Sequence, residues 1–236
     1  MLNLNKILTI GYIFTSSCCI VSFFLGFNIG YLIFKPMIVP ILIGIILIKF
    51  KNLEHPLIPL LLVATFFSFM GDLLFIVTVE ESLFKLLGLC TFIVSKVAYV
   101  MLYFLSSKNT RFHIVSWNKR WPEIITIFIL LGAFFYFSKS LGDFFLPGLI
   151  YGMVSVLAVL MALNRRFYVS RNNYSMVIRG ALFFLVSDIF MGMNFSLKDG
   201  LWEGLTLVFY VMGHWFVTYG LMEQFTEEVK EEKTNF

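Results

Sequence analysis

Charge is scarce in this sequence. Of its 236 residues, 14% are Asp, Glu, Lys or Arg, where a soluble domain carries about 25%. That shortage excludes a soluble globular enzyme, a disordered chain and a nucleic-acid-binding domain. Cysteine is scarce too. Cys18, Cys19 and Cys90 form no CxxC pair and fall in apolar stretches, so neither a disulfide framework nor a zinc site is indicated. GxSxG, HExxH and a Gly-rich phosphate loop ending in Lys-Ser or Lys-Thr are all missing. Nucleophilic-serine and zinc hydrolysis therefore lack their usual markers, and no metal or other cofactor is expected.

What fills the chain is apolar: 59% of residues are hydrophobic, with 29 Phe among them. Eight apolar runs, at residues 7–27, 31–49, 57–79, 83–105, 122–138, 143–163, 176–195 and 203–222, approach or exceed the roughly 20 residues of a membrane-spanning helix. The runs are continuous rather than alternating, which points to helices and not strands. The first has one preceding Lys and no small-residue cleavage site, and it exceeds the roughly 7–15-residue core of a signal peptide; it reads as a retained span. The expected fold is an all-α, polytopic integral membrane bundle of about eight transmembrane helices. Residues 1–222 are expected to form one transmembrane domain, and 223–236 a charged cytoplasmic tail that frays.

Basic residues predict the orientation, because cytoplasmic loops hold the excess of Lys and Arg. Lys6, Lys49, Lys51, Lys108, Arg111, Lys119, Arg120, Arg165, Arg166, Arg171, Lys230 and Lys233 fall on one side, against Lys139 and Lys198 on the other. Both termini are thus expected in the cytoplasm, and a bacterial source would place the chain in the inner membrane. The basic loops would also meet anionic membrane lipids.

The few charges inside spans are costly there and are functional candidates by default. Asp72 lies in span three and Asp188 in span seven, each seven residues before the end of its span. At about 1.5 Å of rise per residue, both sit roughly 10 Å below one surface. Lys35, followed by Pro36, begins span two on that side; Lys96 and Tyr99 lie in span four, Tyr151 in span six, and Tyr210 and His214 in span eight. Spacings of three and four put Lys96 with Tyr99, Tyr210 with His214, and Thr65 with Ser68 and Asp72, on shared helix faces. A parallel four-plus-four repeat is hinted at: Asp72 and Asp188 are 116 positions apart, as are Lys35 and Tyr151, and Lys96 and His214 are 118 apart. Plainer roles fit the same residues: an Asp can hydrogen-bond a neighbouring helix, Lys35 can snorkel, and Lys85 with Glu80 and Glu81 reads as an interfacial charge cluster.

The chain resembles the YhhN family of multi-pass membrane proteins, which includes the lysoplasmalogenases. Gly180-Ala181-Leu182-Phe183-Phe184-Leu185-Val186-Ser187-Asp188 is similar to that family's G-A-L-x-F-x-x-S-D run. Lys35-Pro36 and Gly71-Asp72 resemble its K-P and G-D pairs, Tyr151 its span-six tyrosine, Gly88 with Tyr99 its span-four frame, and Tyr210-Val211-Met212-Gly213 the start of its Y-x-x-A/G-Q. Lys96 stands where the family often has His, and His214 where it has Gln. The resemblance implies hydrolysis of the vinyl-ether bond of a lysophospholipid, giving a fatty aldehyde and a glycerophospho-alcohol. It implies Asp72 and Asp188 as acid and base, sharing one proton. Lys35 would bind the lipid phosphate, and Lys96, Tyr99, Tyr151, Tyr210 and His214 would support substrate or water.

Two other readings stay open on the residues alone. One is a non-enzymatic transporter of a proton-coupled or amphiphilic solute. The other is a lipid-binding protein in which Lys96 neutralises one of the aspartates. The orientation has its own test: a reporter fused after Phe236 should be active only as a cytoplasmic fusion, and activity as a periplasmic or lumenal fusion would overturn the topology.

Overall fold

In a computed structural model, residues 4–77, 82–107, 120–137, 145–197 and 200–234 are described. They form α1 (Leu4–Phe24), α2 (Asn28–Lys49), α3 (Ile58–Val77), α4 (Ser82–Leu105), α5 (Trp121–Phe137), α6 (Phe145–Asn164), α7 (Arg171–Leu197) and α8 (Gly200–Thr234). A 3-10 turn, Arg165–Phe167, follows α6. Glu80, Glu81, Lys108, Arg111, Lys119, Lys139, Lys198 and Asp199 lie outside the described residues.

Each expected span falls on one helix. Helices result because a chain in hydrocarbon must satisfy its backbone groups internally. Seven of the eight are long and apolar enough to cross a membrane; α5 has 17 residues. Their outer faces carry exposed apolar side chains such as Ile10, Phe14, Leu32 and Phe128, a surface suited to lipid and not to water. The chain is an integral, multi-pass membrane protein.

Helix packing repeats after four helices. The contacts α1–α2, α2–α3 and α3–α4 recur as α5–α6, α6–α7 and α7–α8, and α4–α6 has its counterpart in α8–α2. The hint of a four-plus-four repeat in the spacing thus has a match in the packing among the described residues. The α7–α8 contact is the most extensive in the bundle and depends on Gly180. A Cβ there would stand 2.6 Å from the backbone nitrogen of Val217 and 2.9 Å from the carbonyl oxygen of Gly213.

One end of the bundle is closed by a polar clasp. Arg165, placed by sequence among the loop charges, is fully buried. Its guanidinium donates to Ser106 Oγ and to Gln224 Oε1. Gln224 Nε2 donates in turn to Ser106 O at 3.0 Å and to Glu228 Oε1 at 2.7 Å. His55 Nε2 meets Glu228 Oε2 at 2.9 Å and its ring stacks on Phe225; Asn173 Nδ2 donates to Glu227 Oε2 at 2.6 Å. Residues 223–234, expected as a separate tail, continue α8, with these polar contacts and the buried Phe225 and Val229 along them.

Overpacking a close contact costs about 1–3 kcal/mol. Gly180→Ala should therefore lower the Tm in detergent, whereas Gly152→Ala, with nothing within 4 Å of its Cβ position, should leave it unchanged or slightly raised. Equal Tm values for the two variants would contradict the close approach of α7 and α8.

Candidate functional site

At the end opposite the clasp, where α2, α4, α6 and α8 begin, the two halves enclose a cavity of about 510 Å³. The local sequence sets its walls. Gly71 allows α3 and α4 to close, since a Cβ there would meet the Phe92 ring at 2.8 Å. Pro36 lacks an N–H, so the carbonyl of Leu32 loses its usual i+4 donor where α2 passes the cavity.

Seven of the eight residues singled out in the sequence line this one cavity: Lys35, Asp72, Lys96, Tyr99, Tyr151, Asp188 and Tyr210. The two carboxylates enter it from α3 and α7 with different partners. Asp188 is ion-paired through Oδ2 with Lys96 Nζ from α4, and Tyr151 Oη from α6 donates to its Oδ1 at 2.5 Å. Lys96 Nζ also lies 4.7 Å from the centre of the Tyr151 ring. Asp72 is buried and accepts from Tyr210 Oη at 2.7 Å through Oδ2; its Oδ1 has no hydrogen-bond partner among the described residues. Lys35 Nζ donates to Tyr31 Oη at 2.7 Å and stands close enough to Asp72 to feel its charge.

This geometry changes the expected carboxylate pair. No hydrogen bond joins Asp72 and Asp188 among the described residues, and each has donors of its own, so a proton held directly between them does not fit. One carboxylate is neutralised by an ammonium in contact; the other is supported by a single phenol. Carboxylates placed so differently can hold different protonation states, which is a usual way of dividing acid and base roles.

His214 stands elsewhere. It is fully buried and absent from the cavity wall. Its ring meets Tyr210 at 4.5 Å and Phe184 at 4.8 Å, both edge-on. Lys96 Nζ lies 5.9 Å from the centre of the same Phe184 ring. The two positions that depart from the resembled pattern, Lys96 and His214, are therefore neighbours across one phenylalanine.

Some lining residues escaped the sequence reading. Tyr31 was not singled out, although its spacing of four from Lys35 marks the same helix face. Lys85, read as interfacial, and Glu203, in the first turn of α8, both reach the cavity. Ser68, noted in the stripe with Asp72, lines the wall beside Ser95 at 2.7 Å, and Ser95 donates to Ala64 O. Thr65, third in that stripe, instead bonds back to Leu61 O at 2.9 Å.

Removing one partner of a buried ion pair costs about 3–5 kcal/mol. Lys96→Met should therefore destabilise the protein strongly in detergent unfolding, and adding Asp188→Asn should recover much of the loss. Strictly additive effects in the double-mutant cycle would contradict the pairing.

A model of the YhhN family matches residues 30–221, from the start of α2 into α8. No curated protein and no solved structure matches the chain. The matched stretch contains all the residues that line the cavity, and the resemblance to that family is borne out: the chain belongs to the YhhN family, a family of multi-pass membrane proteins associated with hydrolase activity.

Proposed function

We propose that this protein is an intramembrane lipid hydrolase of the lysoplasmalogenase type, cleaving the vinyl-ether bond of a lysophospholipid. The observation that carries the reading is a single cavity holding two carboxylates with unequal partners. A volume of about 510 Å³ falls within the roughly 300–1,000 Å³ usual for small-molecule sites. Phe75, Phe92 and Leu207 offer apolar wall to an alkenyl chain, while Lys35 and Lys85 offer positive charge to a phosphate.

The chemistry needs no nucleophilic side chain. Asp72, free at Oδ1, donates a proton to the β-carbon of the vinyl ether, and the α-carbon becomes an oxocarbenium ion. Asp188, ion-paired with Lys96, stabilises that cation and takes a proton from the attacking water. The hemiacetal then loses the glycerophospho-alcohol and leaves a fatty aldehyde. Atoms balance as vinyl ether plus water giving aldehyde plus alcohol. Tyr210 and Tyr151 fix the two carboxylates in place. With both termini in the cytoplasm, as the basic residues predict, the cavity faces the opposite leaflet.

General acid–base groups contribute roughly 10²–10⁴-fold to rate. Aldehyde release by the purified protein from a lysoplasmalogen should fall by that order in Asp72→Asn and in Asp188→Asn, and by less in Tyr210→Phe. Full activity in both folded Asn variants would sink the mechanism. The Lys96–Asp188 pair also favours a second reading, in which neutralising Asp188 leaves a cavity that holds an amphiphile without cleaving it. Saturable binding of the lysolipid with no aldehyde formed would select that reading.

A further inference from the structure

Among the described residues, four buried polar side chains at or behind the cavity wall make no hydrogen bond of good geometry: Ser16 Oγ on α1, Tyr99 Oη on α4, and Thr218 Oγ1 with both ring nitrogens of His214 on α8. Their exposures are 5%, 3%, 0% and 0%. Buried polar atoms in folded proteins are almost always paired, with protein or with ordered water, so orphans gathered in one place call for a ligand.

They are gathered. Tyr99 Oη and Thr218 Oγ1 face each other closely enough to interact, though not in hydrogen-bond geometry, and the Tyr99 ring centre is 6.5 Å from that of His214. Ser16 Oγ faces Tyr12 Oη in the same way. Tyr12 in turn stacks on Trp215 at 5.0 Å and donates to Val211 O at 2.8 Å. Positions 211, 214, 215 and 218 follow helical spacing along one side of α8, and 12 and 16 do the same on α1. The orphans thus lie in a polar seam where α1 and α4 meet α8.

We propose that this seam is a binding site for ordered water, placed directly behind Asp72 and Tyr210. Water suits the groups. A neutral imidazole presents one donor and one acceptor, hydroxyls present both, and a buried water needs two to four such partners. A cation suits them less well, since no cluster of three His, Cys, Asp or Glu side chains occurs among the described residues. The seam reaches the cavity at two points. Tyr99 belongs to both, and the His214 ring abuts Tyr210, which holds Asp72. A lysolipid lodged in the cavity blocks its mouth to bulk water, and each turnover consumes one water. The seam then supplies that water from behind. This last role rests on the hydrolase reading; the hydration site itself does not. It also makes α1, which precedes the family match beginning at residue 30, part of the working structure.

X-ray radiolytic footprinting of the purified full chain tests the site directly. Hydroxyl radicals formed from bound water oxidise the side chains that the water touches, including deeply buried ones. His214 is the deciding probe because, unlike Tyr99, it does not line the cavity. It should be oxidised several-fold faster than Phe225, which is equally buried, and the Thr218→Val and Ser16→Ala substitutions together should slow it. Oxidation of His214 no faster than that of Phe225 overturns the proposal, as does a rate that the double variant leaves unchanged. If the double variant does not fold, the wild-type comparison decides alone. Fast oxidation of His214 in a protein that fails to cleave lysoplasmalogen would uphold the hydration site and reject the hydrolase reading.

Discussion

Lys96 on α4 and Asp188 on α7 pair across the boundary between the two halves of the bundle. In a low-dielectric interior, separating them leaves two charges without compensation, which is costly. The pair thereby fixes the relation of α4 to α7, while Tyr210 from α8 fixes Asp72 on α3. Each half's carboxylate is held by the fourth helix of the other half. The cavity between them exists because these contacts are made across the halves and not within them.

The helix order supports this arrangement. Packing that repeats after four helices gives both aspartates the same kind of position, on the third helix of a half, next to a polar residue of the second: Lys35 for Asp72, Tyr151 for Asp188. The partners differ in charge. The cation in direct contact sits on Asp188, whereas Lys35 bonds to Tyr31 and acts on Asp72 only through space. A repeated scaffold with unequal partners gives the two carboxylates of one cavity different surroundings. At the other end Arg165, Gln224 and Glu228 close the bundle, so one end is braced while the other encloses the cavity.

Much of this was legible in the sequence because lipid tolerates so few charges. Continuous apolar runs marked all eight helices, and the rarity of Asp and Lys within them marked residues that line the cavity. Helix periodicity rightly grouped Lys96 with Tyr99 and Ser68 with Asp72. It failed for Tyr210 with His214, since neighbours four apart share a face but the cavity ends between them. The roles of Arg165 and the last turns of α8 were hidden for another reason. Basic and acidic residues beyond an apolar run look like solvated loop and tail, and only contacts distant in sequence, from Ser106, His55 and Asn173, bury or anchor them. Which carboxylate carries which partner was equally unreadable, because it depends on the rotation of six helices about their axes.

The proposed mechanism requires the two carboxylates of one cavity to differ in protonation, with the proton on Asp72 and the charge on Asp188. Infrared difference spectroscopy of the membrane-reconstituted protein at neutral pH measures this directly through the carbonyl stretch of a protonated carboxyl group. The account predicts such a band in the wild-type protein that vanishes in Asp72→Asn and persists in Asp188→Asn. A band that persists in Asp72→Asn and vanishes in Asp188→Asn would contradict it.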